Sequence, residues 1–299
     1  MRRKPAKASG GKLARARIRH FLLTVAPDRL LGGALRRRHL SQEVQLRELT
    51  VHVPGWPEAF EGLRIGHVSD FHLGELMPLE KAEAAVARVA AARPDLLACT
   101  GDVVDLRWHG CEPLMRALAS VPARLGHFLV LGNHDHLESA AAVSRAAAAA
   151  GIRVLRDHRV SVEHGGARLL VGGVDWDRTR RGLAQRVRKV AGRTPGREPG
   201  ALPHLLLAHN PKAFPAAAAA GIPLTLSGHT HGGQVDLPNH AHELRHAVRR
   251  LRRGLYAEGQ SRLFVTVGAG SWFPARVNCP AEVVVLTVTG GRSRESRPS

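Results

Sequence analysis

Five short polar clusters combine residue types that are suited to holding two metal ions. They are widely spaced along the 299-residue chain and read Asp70-Phe71-His72, Gly101-Asp102, Gly132-Asn133-His134-Asp135, His209 and Gly228-His229-Thr230-His231. Oxygen and imidazole ligands without a thiolate suit divalent ions such as Mn, Fe, Zn or Co. Two such ions, roughly 3.5–4 Å apart, can stabilise both the attacking and the leaving oxygen of an in-line displacement. The clusters therefore predict two divalent metal ions as cofactors and a phosphate ester as substrate.

Buried strands are the elements that must position these clusters. Four clusters directly follow apolar runs and the fifth follows a shorter one, in the order Leu63–Ser69, Asp95–Thr100, His127–Leu131, Leu205–Ala208 and Pro223–Ser227. Open α/β sheets bind ligands beyond the carboxyl ends of their strands, so groups distant in sequence should meet on one rim. Gly101, Gly132 and Gly228 stand where a chain leaving a strand must turn tightly beside an ion.

Helical and hairpin patterns separate the predicted strands. Two alanine-rich stretches, Leu79–Ala92 and Glu138–Ala150, predict helices, and Gly151 stops the second. The stretch 160–171, with Gly165-Gly166 at its centre, predicts a hairpin with a two-residue turn. The alternation of strands and helices predicts an α/β fold.

The five clusters resemble the D-x-H, GD, GNHD, H and GHxH blocks of calcineurin-like metallophosphoesterases. Gly232–Val235 and Gly268–Glu282 extend the resemblance to a bacterial subgroup that contains membrane-associated phosphodiesterases and UDP-2,3-diacylglucosamine pyrophosphatases. The resemblance spans residues 60–288 and implies the four-layer α/β/β/α sandwich of that family. It also implies hydrolysis of a phosphodiester or pyrophosphate bond, with a lipid or nucleotide-lipid as the expected substrate.

The same resemblance implies two sets of metal ligands that share Asp102 as a bridge. One set is Asp70, His72 and His231, and the other is Asn133, His209 and His229. Two cations lower the pKa of a shared water toward neutrality, which supplies an attacking hydroxide without a separate protein base.

Five further residues receive roles outside the ligand sets. The resemblance implies that His134 faces the scissile phosphate and protonates the leaving group or stabilises the transition state, with Asp135 as its orienting partner. Arg276 is either a substrate-phosphate ligand, as the subgroup implies, or an ordinary surface arginine. Asp105 either supports the site or caps the next helix, whereas Asp175 is expected to be structural.

The N-terminal region stands apart in composition. We expect a basic segment at residues 1–45, a catalytic domain at 46–290 and a tail at 291–299. The apolar stretch Phe21–Val25 is far shorter than the roughly 20 residues that span a bilayer, and it fits a cleavable signal badly. The segment is therefore expected to be a disordered tail or to lie on an anionic membrane surface, which predicts a cytoplasmic protein that is peripheral to the inner face of the membrane.

A second basic stretch follows the last cluster, at His240–Arg253. Its apolar residues fall at helical spacing, which suits a lid or membrane-facing loop beside the site, or an exposed charged helix with neither role. The cysteines Cys99, Cys111 and Cys279 show no metal or redox spacing, which favours a reducing compartment or carries no information about it.

Charge and composition help to choose among three classes of function. A formal net charge of +19 favours an acidic partner such as a phosphate ester, an anionic lipid or a nucleic acid. A nuclease or cyclic-nucleotide phosphodiesterase with the same metals is the alternative to lipid hydrolysis, but aromatic residues at 4% offer few stacking platforms for single strands. The intact ligands together with His134 disfavour a non-catalytic binding module.

Overall fold

The computed structural model describes residues 10–192, 201–235 and 251–291. Its strands, in chain order, are β1 Gln45–His52, β2 Leu63–Val68, β3 Leu96–Cys99, β4 His127–Leu129, β5 Arg153–Val154, β6 His158–His164, β7 Ala167–Val174, β8 Leu205–Ala208, β9 Leu224–Ser227, β10 Gly254–Glu258, β11 Ser261–Val265 and β12 Glu282–Thr289. Its helices are α1 Gly10–His20, α2 Ala26–Leu30, α3 Ala34–Ser41, α4 Leu79–Ala91, α5 Glu112–Ala119, α6 Ala140–Ala149, α7 Arg180–Val190 and α8 Phe214–Ala220. Most of these strands coincide with the apolar runs of the sequence.

The strands form two mixed six-stranded sheets. The first has the order β1-β12-β2-β3-β4-β5, in which β2 to β5 are parallel and β12 is antiparallel to β2. The second has the order β10-β11-β9-β8-β7-β6, with β11, β9, β8 and β7 parallel. Each sheet contains four neighbouring parallel strands, so the chain segments that leave these strands emerge at one end of the sheet.

The two sheets pack face to face through a common apolar core. Ile65 and Phe128 of the first sheet belong to the same buried cluster as Leu207, Leu226 and Phe264 of the second. A separate cluster joins the other face of the first sheet to α4, α5 and α6, and a third joins the second sheet to α7 and α8. The predicted four-layer α/β/β/α sandwich is confirmed.

Local signals in the sequence place several of these elements. The predicted alanine-rich helices are confirmed as α4 and α6, and α6 begins after Ser139, whose hydroxyl accepts the N–H of Ala142 at 3.2 Å. The predicted hairpin is formed by β6 and β7. Its two turn glycines have φ angles of 58° and 78°, as a two-residue hairpin turn with positive φ at both positions requires.

In the N-terminal segment, α1 continues through a π-helical turn at Phe21–Val25 into α2, and a turn at residues 31–33 leads to α3. The hydroxyl of the buried Thr24 donates a hydrogen bond to the carbonyl of Trp272 at 3.1 Å, which anchors the segment to the catalytic domain. The structure therefore differs from the disordered alternative over these residues. Within the described parts of the chain, no helix is both long and apolar enough to cross a membrane.

Some sequence-based expectations fall on residues outside the described ranges. Residues 1–9 and 292–299 belong to the N-terminal segment and the tail, and 236–250 contain most of the second basic stretch. The lid or exposed-helix alternatives for that stretch stay predictions.

Candidate active site

The polar clusters converge where strands of both sheets end. The first sheet contributes Asp70 and His72 after β2, Asp102 after β3, and Asn133 and His134 after β4. The second contributes His209 after β8, and His229 and His231 after β9. The site expected at the edge of one sheet therefore lies at the junction of two facing sheets.

One half of the site is formed by Asp70, His72 and His231. The Nε2 atom of His231 lies 3.3 Å from Asp70 Oδ1, and the Nε2 atoms of His72 and His231 are 3.0 Å apart. All three side chains are buried. The three ligand atoms thus face one another in a pocket closed to bulk solvent.

The other half is formed by Asn133, His209 and His229. His209 Nε2 lies 3.2 Å from Asn133 Oδ1, and the rings of His209 and His229 have centroids 5.0 Å apart. His209 is buried, whereas Asn133 and His229 are partly exposed. This half therefore forms the open edge of the site, where a substrate can enter.

Asp102 lies between the two halves. Its Oδ2 atom is 3.6 Å from His72 Nε2 and 3.2 Å from His209 Nε2. Its other oxygen, Oδ1, accepts the backbone N–H of His134 at 2.7 Å. One carboxylate oxygen is held by the backbone while the other faces both halves, which is the arrangement a bridging ligand needs.

The donor set fits two divalent ions. Ligand atoms that share an ion at bond lengths of roughly 2.0–2.2 Å lie about 3 Å from one another, as the facing atoms of each half do. Three groups, Asp70–His72–His231, His72–Asp102–His134 and Asp102–His209–His229, each place one ligand atom per residue within 4.8 Å of the others. The amide oxygen of Asn133, 3.2 Å from His209 Nε2, is placed to add a further ligand to the second half.

Backbone conformation also marks the site. Positive φ angles, which are uncommon outside glycine, occur at Asp70 (54°), His72 (49°), Asp102 (50°), His229 (73°) and His231 (49°). Holding a non-glycine residue in this conformation costs on the order of 1–3 kcal/mol of folding free energy. The conformation persists only where the surrounding structure imposes it. The backbone is strained at the residues whose side chains converge.

Two glycines permit this close packing. A Cβ atom at residue 132 would lie 2.1 Å from Asp102 Oδ1, and one at residue 228 would lie 2.1 Å from Asp70 Oδ2. No side chain fits at either distance. Gly132 and Gly228 are therefore required because the backbone passes directly against two carboxylate ligands.

Residues 63–233 match the calcineurin-like phosphoesterase family. The chain belongs to that family. With the buried ligand groups in place, it is a metallophosphoesterase, a metal-dependent hydrolase of phosphate esters.

The chain is similar to several named proteins. The uncharacterized metallophosphoesterase YkuE of Bacillus subtilis is 27% identical over 86% of this chain and 90% of its own length. Phosphodiesterase YaeI of Escherichia coli is 29% identical over 75% of this chain and 81% of its own. Among solved structures, an archaeal phosphodiesterase matches at a TM-score of 0.38 and 13% identity, over 69% of this chain and 84% of that one.

Electrostatics in this metallophosphoesterase favour ionised carboxylates. Burial opposes ionisation of Asp70 and Asp102, but nearby His231 and His209 hold the pKa of each carboxyl well below its usual range. Burial lowers the pKa of His72, yet hydrogen bonds to Asp105 and Asp70 outweigh it and raise that pKa to about 10.

Asp135 has a different role from the expected one. Its carboxylate accepts the backbone N–H groups of Asp102 and Val103 at 2.9 Å each, and that of Gly132 at 2.8 Å. It therefore holds the loop that carries the bridging ligand in place. The expectation that Asp135 orients His134 is wrong, since all of these contacts are to backbone groups.

Asp105 orients His134 instead. The Nδ1 atom of His134 lies 2.8 Å from the carbonyl oxygen of Asp105 and 3.0 Å from its carboxylate Oδ1. Asp105 Oδ1 also lies 3.7 Å from Nδ1 of His72. Of the two alternatives left by the sequence, support of the site is the one observed, and α5 begins seven residues later, after Cys111.

Arg276 is not an ordinary surface arginine. Its side chain is buried, and its guanidinium donates to Ser271 Oγ at 2.8 Å, to the Cys279 carbonyl at 3.1 Å and to the Val267 carbonyl at 2.8 Å. Its Nη2 atom also lies 3.4 Å from Nδ1 of His231. These contacts hold the loop behind His231 together, and the expected contact of Arg276 with a substrate phosphate stays a prediction.

Trp176 is a residue of the site that lies outside the five polar clusters. Its ring packs against His209 at 5.6 Å and His229 at 4.9 Å between centroids, covering the second half of the site. A usable signal existed, because Trp176 follows the end of β7 just as the ligands follow other strands. Its neighbour Asp175 is structural as expected, and binds His136 at 2.9 Å and Arg156 at 2.7 Å.

The N-terminal segment also reaches the site. Arg19 Nη2 lies 3.5 Å from His134 Nε2, and His20 Nδ1 lies 3.5 Å from Asp105 Oδ2. No spacing pattern in the sequence relates Arg19 to His134, because 115 residues separate them.

Proposed function

We propose that this metallophosphoesterase hydrolyses a phosphodiester or pyrophosphate bond of a lipid or nucleotide-lipid at a membrane surface. The observation that carries the proposal is the position of the metal centre beside a basic segment with exposed apolar side chains. These side chains are Ile18, Phe21, Leu22, Leu23, Leu30 and Leu31, with exposures from 45% to 87%. A lipid substrate could pass from such a surface to the site without entering bulk water.

The residues of this chain account for the steps of hydrolysis. When bound, two divalent ions polarise the phosphoryl oxygens and lower the pKa of a water. Asp102 and the six flanking residues Asp70, His72, His231, Asn133, His209 and His229 would hold the ions. The Nδ1–H of His134 donates to the Asp105 carbonyl, so Nε2 is the ring nitrogen that faces the substrate. A proton on Nε2 can then pass to the oxygen of the leaving group.

The membrane part of the proposal rests on charge as well as on apolar surface. Basic residues flank the exposed apolar side chains along the same segment, namely Lys12, Arg15, Arg17, Arg19, Arg29, Arg36, Arg37 and Arg38. Each basic residue near an anionic leaflet contributes roughly 1 kcal/mol, and salt weakens that attraction. We infer peripheral binding to the anionic, cytoplasmic face of the membrane.

A substrate screen tests the proposed reaction. Purified protein loaded with Mn, Fe, Zn or Co is assayed on bis-p-nitrophenyl phosphate, p-nitrophenyl phosphate, UDP-diacylglucosamine and cyclic nucleotides. Metal-dependent cleavage of the diester or of UDP-diacylglucosamine, faster than that of the monoester, supports the proposal. Cleavage restricted to monoesters or cyclic nucleotides contradicts it. Salt-dependent binding to duplex DNA without lipid hydrolysis favours a nuclease.

Sedimentation with anionic vesicles tests the membrane part. The wild-type protein should sediment at low salt and be released at high salt, and the double substitution Phe21→Ser and Leu22→Ser should weaken binding. Leu255→Ser is the matched control, because Leu255 is an exposed leucine at 48% in β10, outside the N-terminal segment. Failure of the wild type to sediment, or equal loss in the control, contradicts peripheral binding by residues 1–38.

A further inference from the structure

The N-terminal helix α1 places an arginine at the catalytic histidine. Arg19 Nη2 lies 3.5 Å from His134 Nε2, the ring nitrogen that is not engaged by Asp105. The phosphoryl group undergoing hydrolysis must lie next to this same nitrogen for His134 to act on its leaving oxygen. The guanidinium of Arg19 is therefore within reach of the substrate phosphate.

Contacts on both sides of Arg19 fix its position. Its guanidinium carbon lies 5.3 Å from the ring centroid of Trp272, a cation–π distance. The next residue, His20, lies 3.5 Å from the Asp105 carboxylate, and Thr24 is hydrogen-bonded to the Trp272 carbonyl. The arginine is thus held against the site by its own stacking and by the helix that carries it.

The charge of Arg19 has no carboxylate counterpart in the described structure. Within residues 10–192, 201–235 and 251–291, no acidic side chain lies within ion-pair distance of its guanidinium, whereas Arg36 on the same segment pairs with Glu75 at 3.6 Å. A planar guanidinium offers two parallel N–H donors, which match two oxygens of a phosphate group. The side chain is positioned for an anion that the substrate would supply.

We propose that Arg19 binds a non-bridging phosphoryl oxygen of the substrate beside His134, an inference that rests on the proposed function. The N-terminal segment is then part of the substrate site as well as a membrane contact.

Three variants test this assignment. Arg19→Ala removes the guanidinium, Arg19→Lys keeps the charge without the planar fork, and Arg145→Ala removes an exposed arginine of α6, outside the N-terminal segment. We expect Arg19→Ala to raise KM for bis-p-nitrophenyl phosphate and to weaken binding of inorganic phosphate, measured by calorimetry on metal-loaded protein, by roughly 10- to 100-fold. Arg19→Lys should recover part of both, and Arg145→Ala should match the wild type.

The readouts separate this inference from the proposed function. Metal content and the thermal midpoint should be the same in all variants, which excludes a purely structural effect. If the wild type hydrolyses the diester but Arg19→Ala leaves KM and phosphate binding unchanged, or speeds turnover because α1 obstructs the site, the inference is overturned. If the wild type hydrolyses no diester or pyrophosphate, the proposed function fails, and the calorimetric phosphate affinities still decide whether Arg19 binds phosphate.

Discussion

At the scale of single residues, the proposed metal ligands and the proposed proton donor are different side chains. Asp102 faces both ligand sets through Oδ2, while its Oδ1 accepts the backbone N–H of His134. The imidazole of His134 is oriented by Asp105 and belongs to neither proposed ligand set. The two functions should therefore respond to different substitutions.

His134→Ala should slow turnover and leave the metals in place. The imidazole is the proposed acid for the leaving group, and its loss removes a contribution of about 10²–10⁴-fold to kcat. Steady-state kinetics on a diester, together with metal analysis of the same sample, measure both effects. Unchanged kcat, or loss of both ions, would refute the role.

Asp105→Asn should reduce kcat by about 10- to 100-fold, the range for residues that orient a catalytic or ligating histidine. The amide keeps the size of the side chain and removes the charge that holds the Nδ1 atoms of His134 and His72. Glu75→Gln is the control, because Glu75 contacts His20 but neither of those histidines. Equal kinetics for Asp105→Asn and the wild type would exclude the orienting role.

The sequence predicts the convergence of the polar clusters better than the contacts that support them. Asp70, Asp102 and His209 stand beside strand ends in the sequence, so local pattern and strand geometry suffice to place them. The exchange of roles between Asp105 and Asp135 depends on how two loops from β3 and β4 fold against each other. The burial of Arg276 likewise depends on carbonyl groups of a loop that no local pattern specifies.

At the scale of elements, the site depends on strand ends that come from two sheets. The α/β alternation predicts that parallel strands deliver their following residues to one edge. It does not predict that β2, β3 and β4 meet β8 and β9 across a sandwich, because the order of the strands is set by packing between sheets. Apolar residues such as Phe128 and Leu226 form that contact.

Asp175 at the end of β7 holds neighbouring elements together at this edge. Its carboxylate binds Arg156 before β6 and His136 after β4, and these partners hold its pKa at about 2 despite burial. Because the folded pKa is lower than the unfolded one, ionised Asp175 stabilises the fold above the ordinary carboxyl pKa. That stabilisation is lost as the pH falls toward 2.

Asp175→Asn should therefore lower the free energy of unfolding by about 2 kcal/mol at pH 7, with roughly half of the difference remaining at pH 3. Urea denaturation at both pH values measures this. Glu163→Gln is the control, since Glu163 forms an exposed pair with Arg168 and should change stability little. A pH-independent difference would contradict the stated cause.

At the scale of the whole molecule, the catalytic sandwich and the N-terminal segment meet at the open edge of the site. Composition indicates that the segment is basic and partly apolar, and this suffices to predict an affinity for anionic surfaces. It does not predict the contact of Arg19 with His134, which requires the folded position of α1 against Trp272. The proposed membrane contact and the proposed substrate contact thus share one segment.

The central claim is that this chain binds two metal ions through a site bridged by Asp102. The most direct test is metal analysis of purified wild type and Asp102→Ala after loading with Mn, alongside turnover of a diester. The account predicts two ions per chain in the wild type, and loss of most metal and nearly all turnover in Asp102→Ala. An Asp102→Ala protein that retains both ions and full activity would contradict it.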